Sequence, residues 1–220
     1  MNNEIWFIRH GESRGNAGFR TATPGATALT ELGHEQSARI AAVIAEAPSP
    51  ELVVTSSYLR TKQTAAPTLA HLPHVAHEEW PLHEFTFLDP ARFYNTNMAE
   101  RRPAAVAYWE RSDPSYRDGP GAESFADFLG RIDAGIDEIL RRDVPFTLIF
   151  SHGFVIRAVM WRLLSPPPAI DTDAMKRYWR FFRAVDVPNA SIFKLTLQGS
   201  AAVQMTPPLV DHLTPVMVTP

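Results

Sequence analysis

Short apolar runs of the kind that form buried strands alternate along this chain with segments whose apolar residues recur at helical spacing. The strand-like runs lie at residues 5–8, 52–54 and 146–150. Helical periodicity covers residues 32–44, 58–72, 125–140, 155–164 and 171–184. Runs rich in β-branched and aromatic residues suit a parallel sheet that is covered on both faces, so the pattern predicts an α/β fold.

Capping residues support several of these helix boundaries. Thr30 is a predicted N-cap, and Ser124 with Asp127 forms a predicted capping box. Pro67 falls inside the helical segment 58–72, and we expect it to kink or shorten that helix because it lacks a backbone N–H.

The C-terminal part of the chain predicts elements at the edge of the sheet. Residues 191–197 and 201–205 flank Gln198-Gly199-Ser200, which indicates a hairpin. The arginine-rich helix at 171–184 is typical of a solvated face, and the proline-rich tail from Pro207 is expected to lie over the surface.

Two of the predicted strands end in the same dipeptide. The first runs into Arg9-His10-Gly11, and the strand at 146–150 runs into His152-Gly153. A single histidine of this kind is usually a hydrogen-bonded loop residue. Two of them at the carboxyl ends of neighbouring parallel strands would face each other where α/β sheets bind ligands, which favours a functional site.

Arg60 is the most informative cation outside these strand ends. It lies in the first turn of a predicted helix, so its guanidinium could join the exposed backbone N–H groups in attracting an anion. The alternative is a solvated helix arginine. A strand ending in hydroxyl residues precedes it, and this favours contact with phosphate.

Three closely spaced histidines suggest a metal site at first sight. They are His71, His74 and His77, but Pro73 breaks the helix that would align them, and no carboxylate or cysteine pattern joins them. We therefore predict a polar surface loop and no metal.

Residues 85–120 are the least regular stretch and are rich in aromatic and arginine residues. They predict a largely helical cap over the site, with turns at both ends. Some of its side chains are expected to contact the substrate beyond the phosphate, whereas most form the core and the solvated rim of the cap.

Composition narrows the class of protein. A chain of 220 residues suits one α/β domain spanning 1–220, with the cap as an insertion, and the net charge of -3 gives no basic field for nucleic acid. The absence of cysteine excludes disulfides, and no apolar run approaches a membrane span. A strand close to Met1 leaves no room for a signal peptide, so a cytoplasmic enzyme is expected. The sequence does not determine the oligomeric state, and a homodimer is one of the alternatives.

An ordered set of motifs resembles the histidine phosphatase superfamily, also called phosphoglycerate mutase-like, over roughly residues 4–197. The motifs are Arg9-His10-Gly11-Glu12-Ser13 with Asn16, Leu29-Thr30-Glu31-Leu32-Gly33, residues 56–65, Gly121-Ala122-Glu123-Ser124-Phe125, Ser151-His152-Gly153 and Asn189-Ala190-Ser191. The resemblance implies a three-layer α/β/α sandwich with a mostly parallel central sheet and a helical cap.

The resemblance also implies roles for individual residues. His10 becomes phosphorylated, His152 stabilises the transferring group, and Glu84 protonates the leaving oxygen. Arg9, Arg60, Asn16 and the amide of Gly153 bind the phosphate. Glu78, Glu79 and His83 compete with Glu84 for the acid role. No cofactor is implied, because arginines and histidines neutralise the charge.

Three functions compete at this point. The first is a phosphomonoester hydrolase acting on a small phosphoester and releasing inorganic phosphate. The second is a phosphoglycerate mutase, but the Arg-His-Tyr-Gly-type motif expected in its insertion is missing here. The third is a non-catalytic module that binds a phosphate ligand. The natural substrate does not follow from the sequence.

Overall fold

The computed structural model of the protein describes residues 2–198 and 201–220. Six strands form one sheet: β1 (Asn2–Arg9), β2 (Leu52–Ser56), β3 (Ala76–Trp80), β4 (Phe146–Ser151), β5 (Ile192–Gln198) and β6 (Ala201–Met205). Six helices and a short 3-10 helix at Pro215–Met217 accompany them: α1 (Glu31–Ala45), α2 (Leu59–His71), α3 (Met98–Arg111), α4 (Phe125–Arg142), α5 (Gly153–Leu164) and α6 (Thr172–Ala184).

The sheet is mostly parallel, with the strand order β3-β2-β4-β1-β5-β6. Strands β3, β2, β4 and β1 pair in parallel, whereas β5 and β6 add an antiparallel edge. The predicted hairpin of β5 and β6 is therefore present, although Gly199 and Ser200 of its turn lie outside the described residues.

Alternating side chains of each central strand feed two separate cores. In β1, Ile5 and Phe7 pack on the face covered by α4, α5 and α6, whereas Trp6 and Ile8 pack on the face covered by α1 and α2. Both faces of the sheet are thus buried, as the near-continuous apolar runs require. The predicted three-layer α/β/α sandwich is confirmed.

The capping predictions hold for the two helices tested. Thr30 accepts a hydrogen bond from the backbone of Gly33, and Ser124 forms a complete capping box with Asp127. Pro67 does not shorten α2, which continues to His71. Packing of α2 against α1 and the sheet outweighs the loss of one backbone hydrogen bond.

Three other expectations need correction. The histidine-rich segment is not simply a loop, because His77 lies in the edge strand β3 and bonds Thr55 through Nε2 at 3.0 Å. The cap is less helical than predicted, since α3 contributes 14 residues between long irregular stretches. The C-terminal tail does not merely cover the surface, because Leu213 and Met217 are buried in the second core.

The solvated face predicted for α6 is present, with Lys176, Arg177, Arg180 and Arg183 all exposed. Among the described residues, no helix has the length and apolar character that crossing a membrane requires. Within the same residues, no group of three His, Asp or Glu side chains is placed to hold a metal ion.

Candidate active site

The parallel pairing of β1 with β4 brings the two predicted histidines together. Arg9 pairs with Ser151, so the residues that follow them, His10 and His152, leave the sheet side by side. Their ring centroids are 5.2 Å apart, and both side chains are almost completely buried. Two residues that are 142 positions apart in the chain therefore share one edge of the sheet.

The hydrogen bonds of His10 determine which ring nitrogen is free to react. Its Nδ1 lies 2.7 Å from the carbonyl oxygen of Gly11, and since a carbonyl only accepts, Nδ1 carries the proton. Nε2 is then a lone-pair acceptor, and the Nε–H of Arg60 donates to it at 3.0 Å. Burial, and then the charges of Arg60 and Arg9, hold the pKa of His10 well below its usual range. His10 is accordingly a neutral imidazole at neutral pH.

Arg60 links the two histidines. Besides its contact with His10, it donates from one terminal nitrogen to Nδ1 of His152 at 3.0 Å and from the other to the carbonyl of Pro24 at 2.7 Å. Its position in the first turn of α2 is as predicted. Burial lowers the pKa of Arg60, partly opposed by the carboxylate of Glu84.

His152 has the opposite tautomer to His10. Because its Nδ1 accepts from Arg60, its Nε2 carries the proton and donates to the hydroxyl of Ser56 at 2.7 Å. Ser56 lies 2.9 Å from the hydroxyl of Thr61, which continues the chain of hydrogen bonds. Burial, and then the charge of Arg60, keep the pKa of His152 well below its usual range.

Arg9 presents an unused donor at the site. One terminal nitrogen donates to the carbonyl of Val187, while the Nε–H is buried and has no hydrogen-bond partner among the described residues. Burial lowers the pKa of Arg9 to about 10, so the group remains a cation at neutral pH. A buried N–H without a partner is costly, and a bound anion would satisfy it.

Gly153 allows this donor to approach the start of α5. A Cβ atom at Gly153 would lie 3.5 Å from Nε of Arg9 and 2.9 Å from a terminal nitrogen of Arg157. Any larger residue would occupy the space in which Arg9 and the first amides of α5 converge. Helix N-termini of this kind attract anions.

Glu84 lies four residues after β3 and lines the same cavity as His10. Its Oε1 accepts from the backbone N–H groups of Phe85 at 3.1 Å and Phe154 at 3.2 Å. Burial raises the pKa of Glu84, although the charges of Arg60 and Arg9 oppose the shift. A carboxyl group with a raised pKa is suited to donate a proton.

The other candidate proton donors contact groups outside the cavity. Glu78 binds the indole N–H of Trp80 and also Arg142, and Glu79 forms an ion pair with Lys62 at 2.6 Å. Neither lines the cavity at the site, whereas Glu84 does. His83 stacks on Tyr58, with the ring centroids 5.4 Å apart, and it also lies outside the cavity lining.

Asn16 lines the same cavity beside His10. Its Oδ1 accepts from the backbone N–H of Ser13 at 3.2 Å and from the Ser13 hydroxyl at 2.7 Å. These bonds hold the side chain so that the amide nitrogen remains available to a ligand. The cavity has a volume of about 390 Å³, enough for a phosphate group and part of the molecule that carries it.

The model of the histidine phosphatase superfamily (branch 1) matches residues 5–204 of this chain. The chain belongs to this superfamily. The residues of the site therefore belong to a histidine phosphatase, and the fold implied by the sequence motifs is the fold of its relatives.

Three similar proteins illustrate the relationship. The adenosylcobalamin/alpha-ribazole phosphatase of Salmonella typhi is 27% identical over 170 residues, which are 75% of this chain and 81% of that protein. The metal-independent phosphoserine phosphatase of Arabidopsis thaliana is 28% identical over 169 residues, 76% of this chain and 71% of that protein. The crystal structure of the alpha-ribazole phosphatase from Shigella flexneri has a TM-score of 0.71 at 22% identity, covering 90% of this chain and 93% of that chain.

Arg157 is a residue of this histidine phosphatase site that sequence reasoning missed. It lines the cavity from α5 and donates to the carbonyls of Val185 at 2.7 Å and Gly153 at 3.2 Å. The available signal is an arginine four residues after Gly153, within an apolar run at the start of the helix. From the sequence, Ser56 is only a hydroxyl at a strand end, and its contact with His152 depends on the pairing of β2 with β4.

Gln36 bonds to the loop that follows His10. Its Oε1 accepts from the backbone N–H of Glu12 at 2.6 Å, and its Nε2 donates to the carbonyl of Met217 at 2.6 Å. Gln36 is fully buried on α1. One amide therefore joins the loop after His10 to the C-terminal segment.

We expect Gln36→Leu to lower the free energy of unfolding by about 2 kcal/mol, because it leaves two buried backbone groups without partners. Urea denaturation followed by circular dichroism measures the change. Gln204→Leu, at an exposed position of β6, is the matched control and should change stability by less than about 0.5 kcal/mol. Equal stability of the two variants would show that the amide contributes nothing.

Proposed function

We propose that this chain is a phosphomonoester hydrolase that works through a phosphohistidine on His10 and needs no metal ion. The observation that carries the proposal is the neutral imidazole of His10, whose Nε2 lone pair faces a cluster of buried arginines. A lone pair is required for attack on phosphorus, and the arginines supply the positive charge that a phosphoryl group in transfer needs.

Binding of the phosphate comes first. The Nε–H of Arg9, the guanidinium of Arg60, the amide of Asn16 and the backbone N–H of Gly153 would bind its oxygens. The anion takes over the contact between Arg60 and His10, which releases the Nε2 lone pair. The anion would also take over the contact between Arg60 and Nδ1 of His152, and its negative charge raises the pKa of His152. Nδ1 can then take a proton from the bound phosphate monoanion and donate it as a hydrogen bond to a phosphoryl oxygen.

Transfer then proceeds in two steps. Nε2 of His10 forms a bond to phosphorus as the bond to the leaving oxygen breaks, and Glu84 gives its proton to that oxygen. The Glu84 carboxylate next removes a proton from a water molecule, whose oxygen attacks phosphorus and displaces the imidazole. The raised pKa of Glu84 suits the first role, and its place in the cavity lining supports both roles.

The relatives support hydrolysis of a phosphomonoester without identifying the substrate. The two similar proteins of known activity are named for alpha-ribazole and phosphoserine, and both are only 27–28% identical to this chain. We propose the phosphomonoester class for this chain, with the cytoplasm as its location and residues 1–220 as one domain. The oligomeric state, including a homodimer, stays open.

We expect the purified enzyme to release phosphate from 4-nitrophenyl phosphate and to keep its full rate after exhaustive treatment with EDTA. The reason is that arginines, rather than a cation cofactor, neutralise the phosphoryl group in the proposed mechanism. A loss of activity that added Mg²⁺ or Zn²⁺ restores would contradict metal independence.

The same preparation separates the rival functions. A paired assay with 3-phosphoglycerate, with and without 2,3-bisphosphoglycerate, compares isomerisation with phosphate release. Isomerisation much faster than the hydrolysis of every ester would identify a mutase. Binding of inorganic phosphate with no turnover on any ester would identify a binding module.

A further inference from the structure

We infer that the alcohol part of the substrate is an apolar group without a cationic charge, at least as long as a butyl chain or as large as a phenyl ring, bound against a wall of three phenylalanines. The wall consists of Phe87, Phe154 and Phe182, all of which line the cavity. This inference rests on the proposed function and narrows it to one class of phosphomonoester.

The wall begins at the proposed proton donor. Oε1 of Glu84 accepts from the backbone N–H of Phe154, and Phe87 lies three residues after Glu84 in the chain. The leaving oxygen of the substrate must lie within hydrogen-bond reach of Glu84 to receive its proton. The group attached to that oxygen therefore starts at the wall.

The three rings are held in place by one another and by the core behind them. Phe154 stacks on Phe182 with the centroids 4.1 Å apart, and Phe87 lies 5.9 Å from Phe154. The buried ring of Phe85 lies 5.4 Å from Phe87 and 5.9 Å from Phe154. All three wall residues remain partly exposed toward the cavity. A preformed apolar surface of this kind binds an apolar group without the entropic cost of ordering side chains.

The charges in the cavity disfavour a cationic substrate. In the part of the chain that the structure describes, Glu84 is the only carboxylate that lines the cavity, and it must be protonated to act as the acid. An ammonium group would therefore meet Arg9, Arg60 and Arg157 without a counter-charge. Amino-acid phosphates such as phosphoserine should consequently be poor substrates.

The wall also disfavours a polyhydroxylated leaving group. A sugar hydroxyl that lies on the phenylalanine rings loses its hydrogen bonds to water and gains none. On the polar side of the cavity, Arg101 already donates to Thr21 at 2.6 Å and to Thr96 at 3.0 Å, so these two N–H groups are not available to a sugar hydroxyl.

The test is a series of n-alkyl phosphates, from ethyl through butyl to hexyl phosphate, assayed by phosphate release. These alcohols have nearly equal basicity, so the chemistry of the leaving group stays constant while its apolar length grows. We expect kcat/KM to rise about two- to fourfold per methylene until the cavity is full. Phosphoserine and glycerol 3-phosphate should fall at least about tenfold below butyl phosphate.

Two variants locate the effect on the wall. Phe87→Ala and Phe182→Ala should each lower the ratio of hexyl to ethyl phosphate kcat/KM about threefold or more. Tyr94→Ala is the matched control, because Tyr94 is a cap aromatic that is 65% exposed and lies outside the cavity. It should leave the ratio unchanged. If one variant fails to fold, the dependence of wild-type kcat/KM on alkyl chain length still tests whether the substrate is apolar.

The outcomes distinguish this inference from the proposed function. An active enzyme with the same kcat/KM for ethyl and hexyl phosphate overturns the apolar substrate class and leaves the phosphatase intact. If no ester is hydrolysed, including 4-nitrophenyl phosphate, the proposed function fails. Calorimetric titration with ethyl- and hexylphosphonate then tests the wall alone, and equal affinities would refute it.

Discussion

His10→Ala is expected to abolish phosphate release from every ester, with a loss of about four orders of magnitude or more. The variant removes the imidazole that lines the cavity, whereas the neighbouring His152 is not among the described residues that line it. Rapid quenching of the wild-type enzyme and labelled substrate in alkaline detergent should trap a phosphoenzyme that is stable in base and loses its label in acid. The variant should trap none.

Two further variants test whether the loss of activity and labelling is specific to His10. His34→Ala changes an exposed histidine on α1 and should retain both activity and labelling. His152→Ala should slow turnover strongly but still form labelled protein, since the nucleophile remains. Substantial labelling of His10→Ala would show that another residue is the phosphoryl acceptor.

Glu84→Gln is expected to reduce the hydrolysis of alkyl phosphates by about 10²–10⁴-fold. An alkoxide is a poor leaving group and needs its proton in the transition state, whereas 4-nitrophenolate leaves without one. The loss with 4-nitrophenyl phosphate should therefore be less than about tenfold. Steady-state kcat/KM for both esters measures the difference.

The direction of the pKa shift of Glu84 predicts how the rate of alkyl ester hydrolysis depends on pH. Burial raises the pKa of Glu84, so the acid form persists to a higher pH than for an exposed glutamate and is lost as the pH rises through the shifted pKa. Alkyl ester hydrolysis by the wild-type enzyme should fall over that range, and this limb should be missing in Glu84→Gln.

Glu79→Gln is the matched control for this prediction. Glu79 is exposed, pairs with Lys62 and lies outside the cavity, so its replacement should leave both rates and the pH profile unchanged. Equal losses on alkyl and aryl esters in Glu84→Gln would mean that Glu84 supports the structure and another group donates the proton.

Much of the fold was predictable because its signals are local. The buried strands have continuous apolar runs, and the Thr30 and Ser124 caps satisfy backbone donors within a few residues. The edge strand β3 was not predictable from such signals, since Ala76–Trp80 is largely polar and exposed. Its assignment depends on hydrogen bonding to β2.

The cap and the C-terminal segment were predicted less well for a related reason. The predicted cap at residues 85–120 contains one helix, α3, whose Tyr108 and Trp109 are buried in the main core. The irregular stretches on either side of α3 have no periodic pattern that would predict them. The C-terminal segment has no periodic pattern. Its position depends on distant partners such as Gln36 and Asn189.

The sequence by itself determined the elements at the site and the kind of chemistry they suit. Two strands ending in His-Gly, an arginine in the first turn of a helix and the ordered motifs are all readable from residue order, because strand ends and helix starts depend on neighbours in the chain. Only the tertiary structure decided the tautomers of His10 and His152. It also decided that Glu84 lines the cavity whereas Glu78 and Glu79 do not, and that Arg157 is part of the cavity lining. Each of these depends on burial and on contacts between residues far apart in the chain, and neither quantity is encoded in local pattern.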